Sequence, residues 1–334
     1  MKRVIELKKP VAITAFSCVG GKKEREGPLG DKFDYTSKDD YFGMESWEKA
    51  ETEMLKRSLR HLMEKRKLKA EDIAVALGGD LCDQITSTAF CYRDIALPFL
   101  GLYGACSAMS ESMVIGACLV SGGFVDNALC SSSSHFCTAE RQFRTPLDYG
   151  GKRTPTAQWT VTGAAHVLLE PEGKGPFIRR VFAGKIADLG ITDANNMGAA
   201  MAPAAAETLK AFFMETGTTP YDYDAIYTGD LGAVGSMLLK QLLQKENIEL
   251  VNHQDCGLII FDENQPGIQA GASGCGCSGC VLAAHILPQL VEKKLKRILF
   301  IATGALLSPT TTMQKESIPG IAHLVEITAE RDTQ

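Results

Sequence analysis

No stretch of the 334 residues approaches the ~20 consecutive apolar side chains that a membrane-spanning helix needs. The opening Met1-Lys-Arg-Val-Ile-Glu-Leu-Lys-Lys-Pro10 has early positive charge but no apolar core behind it, so it does not read as a signal peptide. A surplus of positive charge is also missing. The net charge is −5, which gives no reason to expect nucleic acid as a partner. Eleven cysteines show no regular spacing, which reads as reduced thiols in a cytosol-like compartment. One cluster, Cys275, Cys277 and Cys280, supplies three soft ligands without a matching pair. Zinc and iron–sulfur sites want four, so no metal is expected and the run reads as small residues for close helix packing. What remains is an ordinary α/β composition, 45% hydrophobic and 22% charged, long enough for one large core or two moderate ones.

The chain is arranged around Gly104-Ala-Cys-Ser-Ala-Met-Ser-Glu111, a small-residue turn running into the nearly all-apolar Met113-Val-Ile-Gly-Ala-Cys-Leu-Val120. A helix apolar all round is normally buried, so this one is expected to cross the protein's centre with Cys106 in its first turn. Free N–H groups and the helix dipole favour an ionised thiol there, which is how nucleophilic cysteines are made. The plain alternative is a small buried residue.

Before that turn, Val11–Cys18 reads as a strand, 46–66 as an amphipathic helix capped by Ser46, and 71–80 as a buried strand. After it come a strand at 127–131, a polar loop with Ser131 to Ser134, His135, Arg141 and Arg144, and a strand over 159–170. From Phe177 the pattern starts again. A strand at 177–184 precedes a helix at 202–216 with Pro203 in its first turn. Asp222-Tyr-Asp-Ala-Ile-Tyr-Thr-Gly-Asp-Leu231 echoes Glu71-Asp-Ile-Ala-Val-Ala-Leu-Gly-Gly-Asp-Leu81. Gly274-Cys-Gly-Cys-Ser-Gly-Cys280 echoes the Cys106 turn, and 295–304 echoes 125–131. Three echoes in one order argue for an internal duplication, with halves 1–176 and 177–334 each reading βαβαβαββ and pairing mostly in parallel. Asp80, Cys106, Asp230 and Cys277 fall at strand ends, where such sheets build sites.

A duplicated five-layer αβαβα core with a cysteine heading a buried helix resembles the thiolase superfamily of thiolases and β-ketoacyl synthases. Further stretches are similar to the stage V sporulation protein AD family of spore-forming bacteria. They include Lys23-Glu-Arg-Glu-Gly-Pro-Leu-Gly30, Ser132-Ser-Ser-His135, Thr138-Ala-Glu-Arg-Gln-Phe-Arg144, Asp188-Leu-Gly-Ile-Thr-Asp193 and Ala302-Thr-Gly-Ala-Leu-Leu-Ser-Pro309. In the condensing enzymes the cysteine carries an acyl thioester, while two histidines, or a histidine and an asparagine, hold its oxygen and move the proton. Here Thr228-Gly-Asp-Leu-Gly232 and Ala270-Gly-Ala-Ser-Gly-Cys275 stand at the matching places without either residue, and Thr303-Gly-Ala-Leu-Leu307 lacks the second thiolase cysteine. Losing groups that act as a unit abolishes useful rates.

The resemblance therefore implies a condensing-enzyme fold reassigned to binding dipicolinate (pyridine-2,6-dicarboxylate), with no catalytic cofactor. It further implies work in the forespore beside other stage V sporulation A membrane proteins, peripheral to the inner membrane, and a homodimer joined through a sheet edge. A flat dianion calls for Arg forks, helix-start N–H groups and an apolar slot. The expected ligand residues are Cys106, His135, Arg141, Arg144, Asp80 and Asp230. Calcium travelling with the ligand would find its oxygen ligands in the two aspartates. The bland readings are salt bridges for the arginines, a satisfied loop histidine for His135 and helix-start caps for Asp80 and Asp230. Two other functions stay open: an acyltransferase using Cys106 with His135 as substitute base, and a structural subunit with a vestigial pocket.

Overall fold

A computed structural model describes residues 3–143 and 153–331. Its first half contains β1 (Val4–Gly20), α1 (Trp47–Arg66), β2 (Ala76–Gly79), α2 (Thr86–Ile95) and β3 (Phe99–Gly101). These are followed by α3 (Ala108–Ser121), β4 (Ala128–Ser134), α4 (Phe136–Phe143) and β5 (Gly163–Glu170). The second contains β6 (Phe177–Phe182), α5 (Met197–Thr216), β7 (Ala225–Thr228), α6 (Gly232–Gln244), β8 (His253–Asp255), α7 (Cys275–Val281), β9 (Arg297–Ala305), α8 (Pro309–Met313) and β10 (Gly320–Thr328).

Strand order is β8-β7-β9-β10-β6-β1-β5-β4-β2-β3. Counted outward from the β1–β6 seam, each half has the order first, fifth, fourth, second, third. The pairing senses also match: β2 is parallel to β3 and β4 as β7 is to β8 and β9, while β5 and β10 are antiparallel to both neighbours. Mostly parallel pairing was expected. Parallel pairs need a helical crossover, and the fifth strand of each half follows the fourth without one packed across the sheet, so half of these pairings are antiparallel.

Two helix starts face each other between the two halves of this sheet. The α3 helix packs on β1, β2 and β4 and also on β9 and β10, while α7 packs on β4 and β5. The outer layers are α1 on β1 and β5, and α5 on β9 and β10. Local chemistry explains these elements. The Ser46 hydroxyl accepts from Lys49 N–H at 3.3 Å, and Met54, Leu55, Leu59 and Leu62 form the wholly buried stripe of α1. On α5 the start differs from expectation: Asn196 caps the helix at Ala199 N–H, so Pro203 lies inside it rather than in the first turn. Ser131 to Ser134, expected in a polar loop, are the buried end of β4. Ser132 and Ser134 hydroxyls donate to the carbonyls of Cys275 (2.8 Å) and Val161 (2.7 Å). Hydroxyls satisfied this way sit in a sheet at little cost.

Candidate functional site

Ala105 has φ +50°, a left-handed conformation that L-residues adopt only when the surroundings enforce it. A 3₁₀ turn over Ala105–Ser107 then leads into α3, and Gly304 of β9 approaches so closely that a Cβ there would lie 2.4 Å from the Gly104 carbonyl oxygen. The turn presents Cys106, 7% exposed, to a cavity of about 270 Å³. Walls come from both halves: Leu81, Tyr103, Ala139 and Phe143 on one side, Met197, Met201, Ala305 and Leu307 on the other. Gln158, Thr160, Ser273, Asn195 and Ser308 add polar atoms.

Behind the thiol stands Asp230, at the end of β7. One carboxylate oxygen accepts from Gly274 N–H at 2.9 Å and Ser273 hydroxyl at 3.2 Å, the other from Thr303 hydroxyl at 2.8 Å. The Cys106 thiol faces the same cluster, with Ser273 Oγ 4.0 Å from its sulfur, and lies close enough to the carboxylate to feel its charge. Burial pushes the Asp230 carboxyl up to about 6. Burial first, and the Asp230 charge second, raise the thiol well above the ordinary cysteine range. From the sequence, an easily ionised thiol at this helix start and a plain buried cysteine are both open. Desolvation and a facing carboxylate outweigh the helix-start N–H groups, and the sulfur stays protonated.

His135 does not join this group. Its Nε2–H donates to the Asp40 carbonyl at 2.7 Å, and Nδ1 accepts from Cys137 N–H at 3.1 Å, so both nitrogens are engaged away from the cavity. Among the described residues no histidine lines the cavity. His253 donates to the Thr228 hydroxyl at 2.8 Å; that hydroxyl donates to Asp255, which also accepts the N–H groups of Leu231 and Gly232 at the start of α6. Asp80 accepts from Cys82 N–H at 2.9 Å and from Thr88 N–H and hydroxyl at 2.7 and 2.6 Å, holding the turn into α2 rather than lining the cavity. Arg141 pairs with Glu48, lies over the Trp47 ring, and lines a smaller neighbouring cavity of about 190 Å³ that shares Asp83 with the first. Arg144 lies outside the described residues. The Cys275, Cys277 and Cys280 thiols turn to three separate carbonyls, of Ala105, Gly229 and Val19.

Sequence reasoning missed Gln158, Ser273, Thr303 and the α5 start. Of these, only Thr303 lay in a stretch already marked by the internal echo; Ser273 comes just before one.

A thiolase-like condensing-enzyme fold, with a cysteine heading the helix between two matching halves, is the class these features define. Solved structures agree. Cerulenin-bound OleA of Xanthomonas campestris superposes with a TM-score of 0.62 at 12% identity, over 97% of this chain and 100% of that one. The 3-oxoacyl-[acyl-carrier-protein] synthase III of Aquifex aeolicus VF5 gives 0.58 at 12% identity, over 94% and 99%. At such identity the likeness speaks for the fold alone. The chain belongs to the stage V sporulation protein AD (SpoVAD) family, whose family model matches residues 1–328. Stage V sporulation protein AD of Bacillus subtilis (strain 168) is 44% identical over 315 residues, covering 94% of this chain and 93% of that protein.

Proposed function

We propose that this chain is a non-catalytic ligand-binding protein of sporulation that holds dipicolinate in the Cys106 cavity. The observation that carries the reading is the carboxylate planted against the nucleophile position. Burial and the Asp230 charge both oppose ionisation of this thiol, and among the described residues no imidazole lines the cavity to take its proton. Acyl transfer would have to start from a thiol held in its protonated, weakly nucleophilic form.

The cavity suits a small planar acid in other respects. Its volume is below the range typical of drug-sized ligands, and its walls are largely apolar. Anion recognition falls to the helix starts at Cys106 and at Met197 of the 20-residue α5, where N–H groups lack intrahelical acceptors. Arg141, in the adjoining cavity beyond Asp83, is placed to meet a carboxylate extending that way if its Glu48 partner yields. Calcium carried with the ligand would meet Asp83 and Glu140 on the walls, since Asp80 and Asp230 are committed to protein donors.

In this reading the chain works in the forespore beside stage V sporulation A membrane proteins. Among the described residues no helix is long and apolar enough to cross a membrane, so contact with those partners would be peripheral. Copies would pair through the outer edge of β3, where Leu100 is exposed and Phe90 and Tyr103 flank it. Calorimetric titration with dipicolinate tests the central point: saturable heat is expected, and its absence at millimolar ligand refutes the reading.

A further inference from the structure

Gln158 is 5% exposed and lines the cavity. Its Nε2 donates to two backbone carbonyls, of Asp230 and Ala272, each at 2.7 Å. Two acceptors on one side fix the amide orientation, because the flipped form would set oxygen against oxygen. The other polar atom, Oε1, is buried and has no hydrogen-bond partner. A buried acceptor left unsatisfied costs about 1–3 kcal/mol, so such an atom in a cavity-lining side chain is matched to a donor brought by the occupant. Carboxylates of Asp83 and Glu140 also lie on the wall, and among the described residues lining it there is no lysine or arginine. Arg153 is taken up by Glu140 at 2.5 Å, so Asp83 is the carboxylate on this wall that disfavours a second negative charge on the ligand. The start of α5 also reaches this cavity, with Asn195 and Met197 on its wall.

We propose that the cavity takes its diacid ligand with one proton: an ionised carboxylate at the start of α5 and a carboxylic O–H donated to Gln158 Oε1. The proposal rests on the dipicolinate reading and adds the ligand's protonation state and orientation. The proton comes from solvent, so binding of the dianion from neutral solution takes up one proton per ligand. Other titratable groups facing this region are Cys106, Asp230, Asp83, Glu140 and Tyr103, with Arg153 donating to the Gln158 backbone carbonyl at 3.0 Å.

The test is titration calorimetry of the full chain with dipicolinate in phosphate and in Tris, which differ in ionisation heat. The expected result is a buffer-dependent heat equal to about one proton, with affinity falling about tenfold per pH unit between about pH 6.5 and about pH 8. A ligand with a carboxamide in place of one carboxylate carries its own N–H donor; it is expected to bind without proton uptake and without that pH dependence. Asp230→Asn locates the proton: uptake that persists in the variant supports the proposal, and uptake that disappears places the proton on Asp230 and overturns it. Buffer-independent heat with dipicolinate overturns this inference alone. Failure of both ligands to bind at any of these pH values overturns the dipicolinate reading as well.

Discussion

Replacing Asp230 by asparagine is expected to make Cys106 a reactive thiol. In the native protein the carboxylate raises the cost of forming a thiolate beside it. For unit charges ~4 Å apart in an effective dielectric of ~20, the repulsion is about 4 kcal/mol, or roughly three pKa units. Burial also raises this thiol and remains in the variant, so the pKa falls only part of the way back. At a fixed pH below the pKa, three units give roughly a thousandfold more thiolate. A less basic thiolate is a weaker nucleophile, with a Brønsted slope of about 0.4–0.5, so the net gain in alkylation rate is roughly 30- to 60-fold.

The assay is iodoacetamide modification followed by peptide mass spectrometry at Cys106, since ten other thiols are present. Asparagine also sets an NH₂ group among the donors of Gly274, Ser273 and Thr303, so some stability will be lost, and circular dichroism must show that the variant is folded. Thr303→Val serves as the opposite control. It removes a donor that lowers the Asp230 pKa but keeps the carboxylate, and Cys106 should remain unreactive. A folded Asp230→Asn protein that alkylates within about twofold of the native rate refutes the reasoning.

Three further outcomes are expected. Ala305→Trp fills the cavity from the end of β9 and should cost about 1–3 kcal/mol of stability while reducing dipicolinate affinity by more than about 100-fold in calorimetry. Incubation with radiolabelled acyl-CoA should leave no thioester on Cys106; label that disappears in Cys106→Ala would restore the acyltransferase alternative. Glu24 is fully buried, accepts from Thr162 N–H at 3.0 Å through one oxygen and has no partner for the other; burial pushes it up to about 7. A carboxyl raised in the fold keeps a proton that the unfolded chain has already lost, so stability falls as pH rises from about 4.5 to about 7, by about 3 kcal/mol. Glu24→Gln should then be more stable than native at about pH 8 and gain nothing at about pH 4.5, as urea unfolding at the two pH values would show.

The duplication could be read before any coordinates because it rests on short-range signals: apolar runs of strand length, small-residue turns, and Gly-Asp-Leu twice after a buried strand. These survive without knowledge of what packs against them. Element ends were less legible. The serines of β4 carry a loop composition, yet their hydroxyls are absorbed by carbonyls of α7 and of the segment before β5, acceptors more than twenty residues away in sequence. Pro203 carries a helix-start signal, yet the Asn196 cap seven residues earlier begins the helix. The ionisation of Cys106 stays open in the sequence for the same kind of reason. A helix start is visible in sequence, whereas a carboxylate arriving from residue 230 is not.

Asp80 and Asp230 make the point most sharply, because the sequence presents them as equivalents. Both end the second strand of their half in Gly-Asp-Leu, and both are buried. After Asp80 the chain turns so that Cys82 and Thr88 supply donors from its own half, and the carboxylate is consumed locally. After Asp230 the local N–H groups of Leu231 and Gly232 are taken instead by Asp255. Asp230 is thereby left to collect Ser273, Gly274 and Thr303, and through that arrangement it meets the thiol of the other half. The first half has no carboxylate in the Asp255 position: β3 ends in Gly101, where β8 ends in Asp255. One acidic residue at a strand end thus decides which of two matching aspartates is free to face Cys106. Asp255→Asn should release Leu231 and Gly232, loosen Asp230 and raise Cys106 alkylation, though by less than Asp230→Asn does; an unchanged rate in a folded Asp255→Asn protein would show that Asp230 is held by its other donors alone.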